Sequence, residues 1–533
     1  MAAHSTQEHA VDAEDDGRAP DDPALADFPG RAPDTRRWCF ADQLGPHFLD
    51  DPHQEVLLVE SRAVFRRRRF HRQKAHLVLS ALRHRAAELG DQAVFLQTDT
   101  YGEALDRVEG PVSVCAPTTW GGRDFVLARD GLQVLAARGF VTSQADFATW
   151  AGGRSNGRRG RALLMEDFYR DARRRHEVLM DGAEPVGGRW NLDADNREPP
   201  PKDGRSPAPE PWMPAEDEID EQVRADLDRW EADGDVSFVG DDGPRLFPVT
   251  RRETLHRLRD FLDHRLAAFG PHEDAMLAGE PWLAHSLLSA PMNLGLVDPV
   301  EVVHRAEAAY RDSVGDGAGL PLNSVEGFVR QVMGWRDYIW HLYWFLGRDY
   351  REGNALEAHA AVPDWLADLD TSQVDAACLA GVVGDLRARG WVHHIPRLMV
   401  LGNYALQRGI APQAMTDWFH RLFVDGYDWV MVPNVVGMSQ HADGGVLATK
   451  PYASGGAYID RMSDYCGGCR YDPKKRIGED ACPFTAGYWG FLDRTREKLA
   501  GNHRMSRPLA GLERLKDRAE VVDQERRRGT DPF

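Results

Sequence analysis

The chain has 533 residues, 42% of them hydrophobic, with 65 basic against 84 acidic side chains and a net charge of −19. That length exceeds one ordinary core and predicts two domains plus tails. No apolar run nears the roughly 18 residues of a membrane span, and the acidic start lacks the apolar stretch of a secretory signal. Six cysteines in such a length do not make a disulfide scaffold, so a soluble, cytoplasmic protein without membrane contact is expected.

The net charge does not exclude nucleic acid, because binding depends on local patches. The acidic excess sits at 11–30 and 215–242, while basic clusters stand at 66–74, 153–161, 173–176 and 474–476.

In chain order, residues 1–35 read as a disordered acidic tail. From 36 to 150, the runs "RWCFADQL", "EVLLVES", "QAVFLQ" and "PVSVCAP" are short and β-rich, each followed by a helical stretch such as 66–89. This pattern predicts parallel βαβ units, an α/β domain with a Rossmann-like sheet. "ADQLGPHF" stands where a G-x-G-x-x-G would follow the first strand, which disfavours an ordinary nicotinamide enzyme. Cys39 and Cys115 fall in apolar strands and read as core thiols. Residues 151–250 form an interdomain connection, rich in Pro, Asp and Glu from 196 onward.

From 251 to 500 the period becomes helical: Leu255, Leu258, Leu262, Leu266 and Phe269 recur at three- and four-residue steps. Asn323 can cap a helix with Glu326 three residues on. Nine of the fifteen tryptophans lie beyond residue 280, where they can fill a helical core or stack on a cofactor. Residues 501–533 are expected as a loose basic tail.

Cys466, Cys469 and Cys482 form C-x2-C-x12-C-P, and the distant Cys378 makes a fourth thiol. Four soft ligands suit tetrahedral zinc or an iron–sulfur cluster. A redox C-x-x-C would need only two, in a βαβ setting. The lone upstream cysteine and the proline after Cys482 favour a cluster, with zinc and unpaired thiols left open.

Several longer strings are more specific: "HSLLSAPMNLGLV", "EGFVRQVMGWRDYIW", "GWVHHIPRLMVLGNYAL", and the run from "FVDGYDWVMVPNVVGMSQ" through "TKPYASG" to "SDYCGGCRYDPKK". With "MDGAEPVGGRWNLDADNREPPP" they resemble the photolyase/cryptochrome superfamily. The likeness is closest to the bacterial iron–sulfur branch, the prokaryotic (6-4) photolyases and their cryptochrome-like relatives, and runs from about 36 to 500.

The resemblance implies an antenna chromophore, 6,7-dimethyl-8-ribityllumazine, in the first domain, with Asp42, Gln43 and Glu60 as contacts. It implies FAD in the helical domain. Its contacts would be His285, Ser286, Leu287, Leu288 and Ser289 at a phosphate-binding helix start, with Glu326, Arg330, Trp335 and Arg336. Arg397 would pair with Asp425, and Met431, Asn434, Met438 and Ser439 would close the pocket. Cys378, Cys466, Cys469 and Cys482 match the ligands of a [4Fe–4S] cluster.

The activity implied is light-driven repair of a flipped-out lesion in UV-damaged DNA, by a monomer. A (6-4) lesion also needs a proton, which histidine suits near neutral pH. His394 is the expected donor, with His393 beside it and Tyr452 in the lesion pocket. DNA grip is expected from the basic loop 153–161 and from Lys450, Lys474 and Lys475.

Two positions depart from the family pattern. Met431 stands where a polar residue faces the flavin, and Asp370 where relatives carry a relay tryptophan; Trp418 and Trp365 remain as electron-transfer residues. A blue-light photoreceptor with the same fold is therefore the second reading, and a flavin-free zinc module the third.

Overall fold

The computed structural model describes residues 22–154, 163–315, 317 and 319–533. Residues 1–21 of the expected acidic tail and most of the basic loop 153–161 lie outside the described residues.

Five parallel strands form the first domain's sheet: β1 (Arg36–Cys39), β2 (Val56–Ser61), β3 (Ala93–Thr98), β4 (Val112–Cys115) and β5 (Leu132–Leu135). Their order is β3-β2-β1-β4-β5. All six residues of β2 are buried, as expected of a strand covered on both faces. The connections reverse direction between β1 and β4, which opens a crevice beyond the ends of those strands. Sequence patterning finds four of these strands and misses β5.

Beyond the sheet the chain is mostly helical. One core packs Phe261, Phe328, Trp340, Trp344 and Trp429, and another packs Leu379, Tyr404, Trp418 and Phe484. The domains are stitched together at two places. Phe140 stacks on Trp340 at 3.9 Å and 4°, and the buried Asp337 carboxylate accepts the N–H groups of Val141 and Thr142 at 2.8 and 2.9 Å.

The basic run 66–74 is the second stitch. Arg66 pairs with Asp99 and Asp235, Arg69 with Asp368, and Arg72 with Asp228 and Glu231. The buried Lys74 donates to the carbonyls of His420 and Gly426, while His71 bonds Arg421 and Leu386 through backbone and ring. Arg69, His71 and Lys74 thus hold the first domain to the helical one, while Arg66 and Arg72 tie it to the connection. The single helix expected over 66–89 is accordingly broken into Ala63–Arg67 and Arg72–Leu89.

The connection 151–250 carries helices Met165–His176 and Glu218–Ala232. Two further expectations are corrected. Asn323 lies inside helix Leu322–Val329, with Pro321 at the cap, and donates to Asn196 instead. The tail after 500 forms helices Ser506–Glu513 and Arg518–Arg528. Phe533 is buried against Tyr404 and Phe484, since a large aromatic gains more by burial than its charged neighbours lose.

The helical domain also contains three π-helical segments, Arg330–Arg336, Pro396–Gly402 and Val432–Ser439. Pro396 and Pro433 open two of them. Without an N–H, proline cannot continue the i→i−4 ladder, and the wider i→i−5 turn replaces it.

Candidate active site and cysteine pocket

Arg397, on the second π segment, meets Asp425 in a two-pronged ion pair, both N···O distances 2.9 Å. Ser289 Oγ donates to Asp425 Oδ2 at 2.7 Å, and Asn293 Nδ2 donates to the Asp425 carbonyl at 3.1 Å. Burial alone would raise the Asp425 pKa, but the Arg397 guanidinium and the Ser289 hydroxyl hold it below the usual carboxylate value. The guanidinium also lies over Phe423 at 4.3 Å. An ion pair this far from water keeps its geometry because each partner is multiply bonded.

A second group faces the same region. His285 stacks on His393 with ring centroids 4.4 Å apart, and exposed His394 stands edge-on to both at 5.6 and 5.8 Å. Burial, and then the neighbouring cations, push His285 and His393 well below the usual histidine pKa. His394 Nε2 lies 3.5 Å from Asp274 Oδ1. Beside Asp274, burial raises Glu273 to about 7. Arg330 Nη2 bonds Asp193 at 3.0 Å and its Nε lies 3.6 Å from Glu326. Burial raises the Glu326 pKa against the pull of Arg330. Tyr452 is 38% exposed and lies within electrostatic reach of Asp193 and Asp274.

Other sequence-predicted residues scatter more widely. Ser286 accepts from Leu288 N at 3.4 Å, and buried Leu287 adopts φ +57° as the chain turns into the short helix Ser289–Asn293. Arg336 bonds Gly139 O at 3.0 Å and Asn293 Oδ1 at 3.4 Å, and lies over Phe140 and Trp429. Trp335 makes an edge contact with Tyr338.

On the third π segment Asn434 donates to Val430 O at 2.9 Å, Met438 is half-buried and Ser439 is buried. A Cβ at Gly402 would lie 2.2 Å from Ser439 Oγ, so the close approach of the last two π segments requires glycine there. Met431 is buried in the core around Trp418, while Asp370 is exposed. Trp418, fully buried, donates to Leu366 O, and Trp365 donates to Thr530 O.

The three predicted antenna residues separate. Asp42 and Gln43 lie at the β1/β4 crevice, bonded to Thr118 and to Cys115 O. Glu60 is gripped by Arg83 through two 2.9 Å bonds, with Gln97 beside it. Its acceptors are thus already used by protein donors, whereas burial raises the Asp42 pKa at the crevice.

The four cysteines do converge. They line one small pocket with Ala376, Ile459, Tyr465, Tyr471, Pro483 and Phe484. Cys378 opens helix Ala377–Arg389 and Cys482 caps helix Pro483–Leu499. Burial raises the Cys482 thiol pKa, against the opposing pull of the Thr485 and Phe484 backbone N–H groups. Burial, and then the neighbouring sulfurs, push the Cys378 pKa well up without a metal. Gly456 packs so closely that a Cβ would come within 2.7 Å of Cys482 Sγ.

The comparisons decide what kind of protein carries this site. A (6-4) photolyase of Agrobacterium fabrum (strain C58) is 40% identical over 502 residues, covering 89% of this chain and 95% of the relative. The chain belongs to the photolyase family. The profile of the deoxyribodipyrimidine photo-lyase-related protein family matches residues 37–110 and 122–235 of this photolyase. An uncharacterized protein of Acanthamoeba polyphaga mimivirus is 28% identical over 124 residues, 23% of this chain and 92% of its own length. The crystal structure of a bacterial class III photolyase from Agrobacterium tumefaciens superposes with a TM-score of 0.51 at 16% identity. That match covers 93% of this chain and 92% of the other, and the likeness is one of fold.

Membership of the family implies FAD. The donor set fits such a group: Arg330 Nε and Glu326 Oε1, 3.6 Å from each other, are buried without a hydrogen-bond partner. Buried polar atoms ordinarily have partners. Asp193, Glu273, Asp274 and Lys74 belong to this neighbourhood and escaped the sequence reading; a single acid or lysine carries no motif. Among the described residues, no helix is long and apolar enough to cross a membrane.

Proposed function

We propose that this photolyase reverses (6-4) photoproducts in UV-damaged DNA under blue light, with His394 delivering the proton. The observation that carries this reading is an exposed imidazole beside Asp274, above the buried His285 and His393, in a chain 40% identical to a (6-4) photolyase. FAD, when bound, supplies the photoexcited electron that opens the lesion.

The chain's own residues do the rest. Arg397, Asp425, Ser289 and Asn293 form a rigid anchor that would hold the cofactor together with Glu326, Arg330 and the segment Ser286–Leu288. Asp274, 3.5 Å from Nε2, orients His394 by its charge, and the exposed imidazole holds the proton for the lesion. Exposed Tyr452 and Lys450 are the DNA contacts in this reading. Fixing the donor before the reaction lowers the barrier without any reorganisation at the moment of transfer.

In the same reading Cys378, Cys466, Cys469 and Cys482 hold a [4Fe–4S] cluster. Four thiol ligands lining one apolar pocket support such a group. Asp42 and Gln43, at the β1/β4 crevice, serve a 6,7-dimethyl-8-ribityllumazine antenna; Glu60, spent on Arg83, serves the sheet. Trp418 and Trp365 form the electron relay. Buried Met431 and exposed Asp370 favour the second reading, a blue-light photoreceptor.

Repair of a (6-4) oligonucleotide under blue light tests the proposal. Wild type removes the lesion, and His394→Ala lowers the rate about 10²–10⁴-fold while retaining flavin. A flavin-loaded wild type that leaves the lesion intact supports the photoreceptor instead.

A further inference from the structure

The three histidines at the pocket mouth do more than surround a proton. His285, His393 and His394 each offer a ring nitrogen, and all three lie within 4.8 Å of one another. They come from segments far apart in sequence, the loop before Ser289 and the start of the second π segment. Stacking brings the first two rings to 4.4 Å at 25°, and the third closes the group edge-on.

Two of the nitrogens, His285 Nε2 and His393 Nδ1, are buried without a hydrogen-bond partner, on residues only 8% and 5% exposed. An unpaired buried acceptor is costly to the fold. Burial keeps both rings neutral, so their lone pairs are free to coordinate. The third imidazole is exposed and reaches Asp274 at 3.5 Å, the usual arrangement in which a carboxylate orients a metal-binding histidine. Arg265 and Arg397 oppose a cation here, while Glu273 and Asp274 attract one; both carboxylates also lie within 4.8 Å of a His394 nitrogen.

We propose that His285, His393 and His394 form a binding site for a borderline transition-metal ion of the Zn²⁺ class, with water or Asp274 completing the coordination. Three imidazoles with an open position suit zinc, cobalt or nickel, whereas an all-oxygen cation such as Mg²⁺ gains little from nitrogen donors. The ion occupies the lone pairs at the mouth and withdraws His394 from proton delivery. The site itself is independent of the repair reading; only this last consequence, reversible inhibition, rests on it.

Calorimetric titration of ZnCl₂ into the untagged protein carrying flavin and cluster, in the dark, tests the site directly. Wild type binds one saturable Zn²⁺ that excess Mg²⁺ does not displace. His394→Ala, at an exposed position where folding is preserved, and His393→Asn each weaken binding about 10–100-fold. Unchanged affinity in both variants would assign the zinc to the cysteines or the surface and overturn the proposal, as would the absence of a saturable site or displacement by Mg²⁺.

In the illuminated assay, Zn²⁺ at saturating concentration stops lesion removal and a chelator restores it. Full repair by the zinc-saturated enzyme overturns the inhibition. A protein that binds zinc through the histidines yet never repairs fails the functional reading and keeps the metal site.

Discussion

The cysteine pocket and the histidine mouth are both sets of metal-capable ligands in one helical domain, yet they are built in opposite ways. The cysteines sit at helix starts and in a tight turn, in an apolar pocket whose walls hold them. Three of the four are local in sequence, so their spacing is a readable pattern. The histidines are set by a loop and a π segment, stand among carboxylates and guanidiniums, and leave polar atoms unpaired. A structural site satisfies its own groups; a working site keeps some of them open for a partner.

The largest effect should come from breaking the closed site. Cys378→Ala removes a corner of the ligand set and is expected to lower stability by more than about 4 kcal/mol, with loss of iron and sulfide. A variant that keeps its iron and its thermal midpoint would show that the pocket does not clamp the fold. Next, Asp425→Asn leaves the Arg397 guanidinium buried without a counter-charge, at about 3–5 kcal/mol. Flavin bound per chain after purification is the measurement, and it should fall steeply.

Glu273 sharpens the contrast through pH. Burial raises its folded pKa from 4.5 to about 7, so the native state holds a proton that the unfolded chain has released. Its stabilising contribution is complete below about pH 4.5 and is lost as pH rises to 7, by roughly 3 kcal/mol at most. Urea unfolding across that range should show the decline, and Glu273→Gln should flatten it. Lys74→Met, smallest, strands the carbonyls of His420 and Gly426 next to Asp425, at about 1–3 kcal/mol. A normal unfolding midpoint in that variant would remove the basic run from the interdomain clamp.

Legibility in the sequence followed the range of the interactions. The sheet was readable because four apolar runs recur at βαβ spacing, and β5, "LQVL", was missed because its four residues, split by Gln133, make too short a run to stand out. The ion pair of Arg397 and Asp425 was implied by family likeness, and the structure brings the two side chains together. Run 66–74 showed only its charge, since its carboxylate partners lie far along the chain. Helix Arg518–Arg528 was hidden because its polar face is nearly continuous, with Val521 and Glu525 its buried members. Arg336 was implied for the same pocket by family likeness, and its Nε donates at 3.4 Å to Asn293 Oδ1, whose Nδ2 bonds the Asp425 carbonyl.

Those wide turns also bear on how such a site can be gained or lost. A π segment is one residue longer than the α-helix it replaces, while the flanking helical faces keep their register. Deleting a single residue within Val432–Ser439 or Pro396–Gly402 would therefore relax the backbone to an ordinary helix and leave the surrounding fold intact. The scaffold would survive as an inert look-alike. In this architecture, the distance between a working protein and a silent one is one codon, and the record of that change would be a gap in an alignment rather than a substitution.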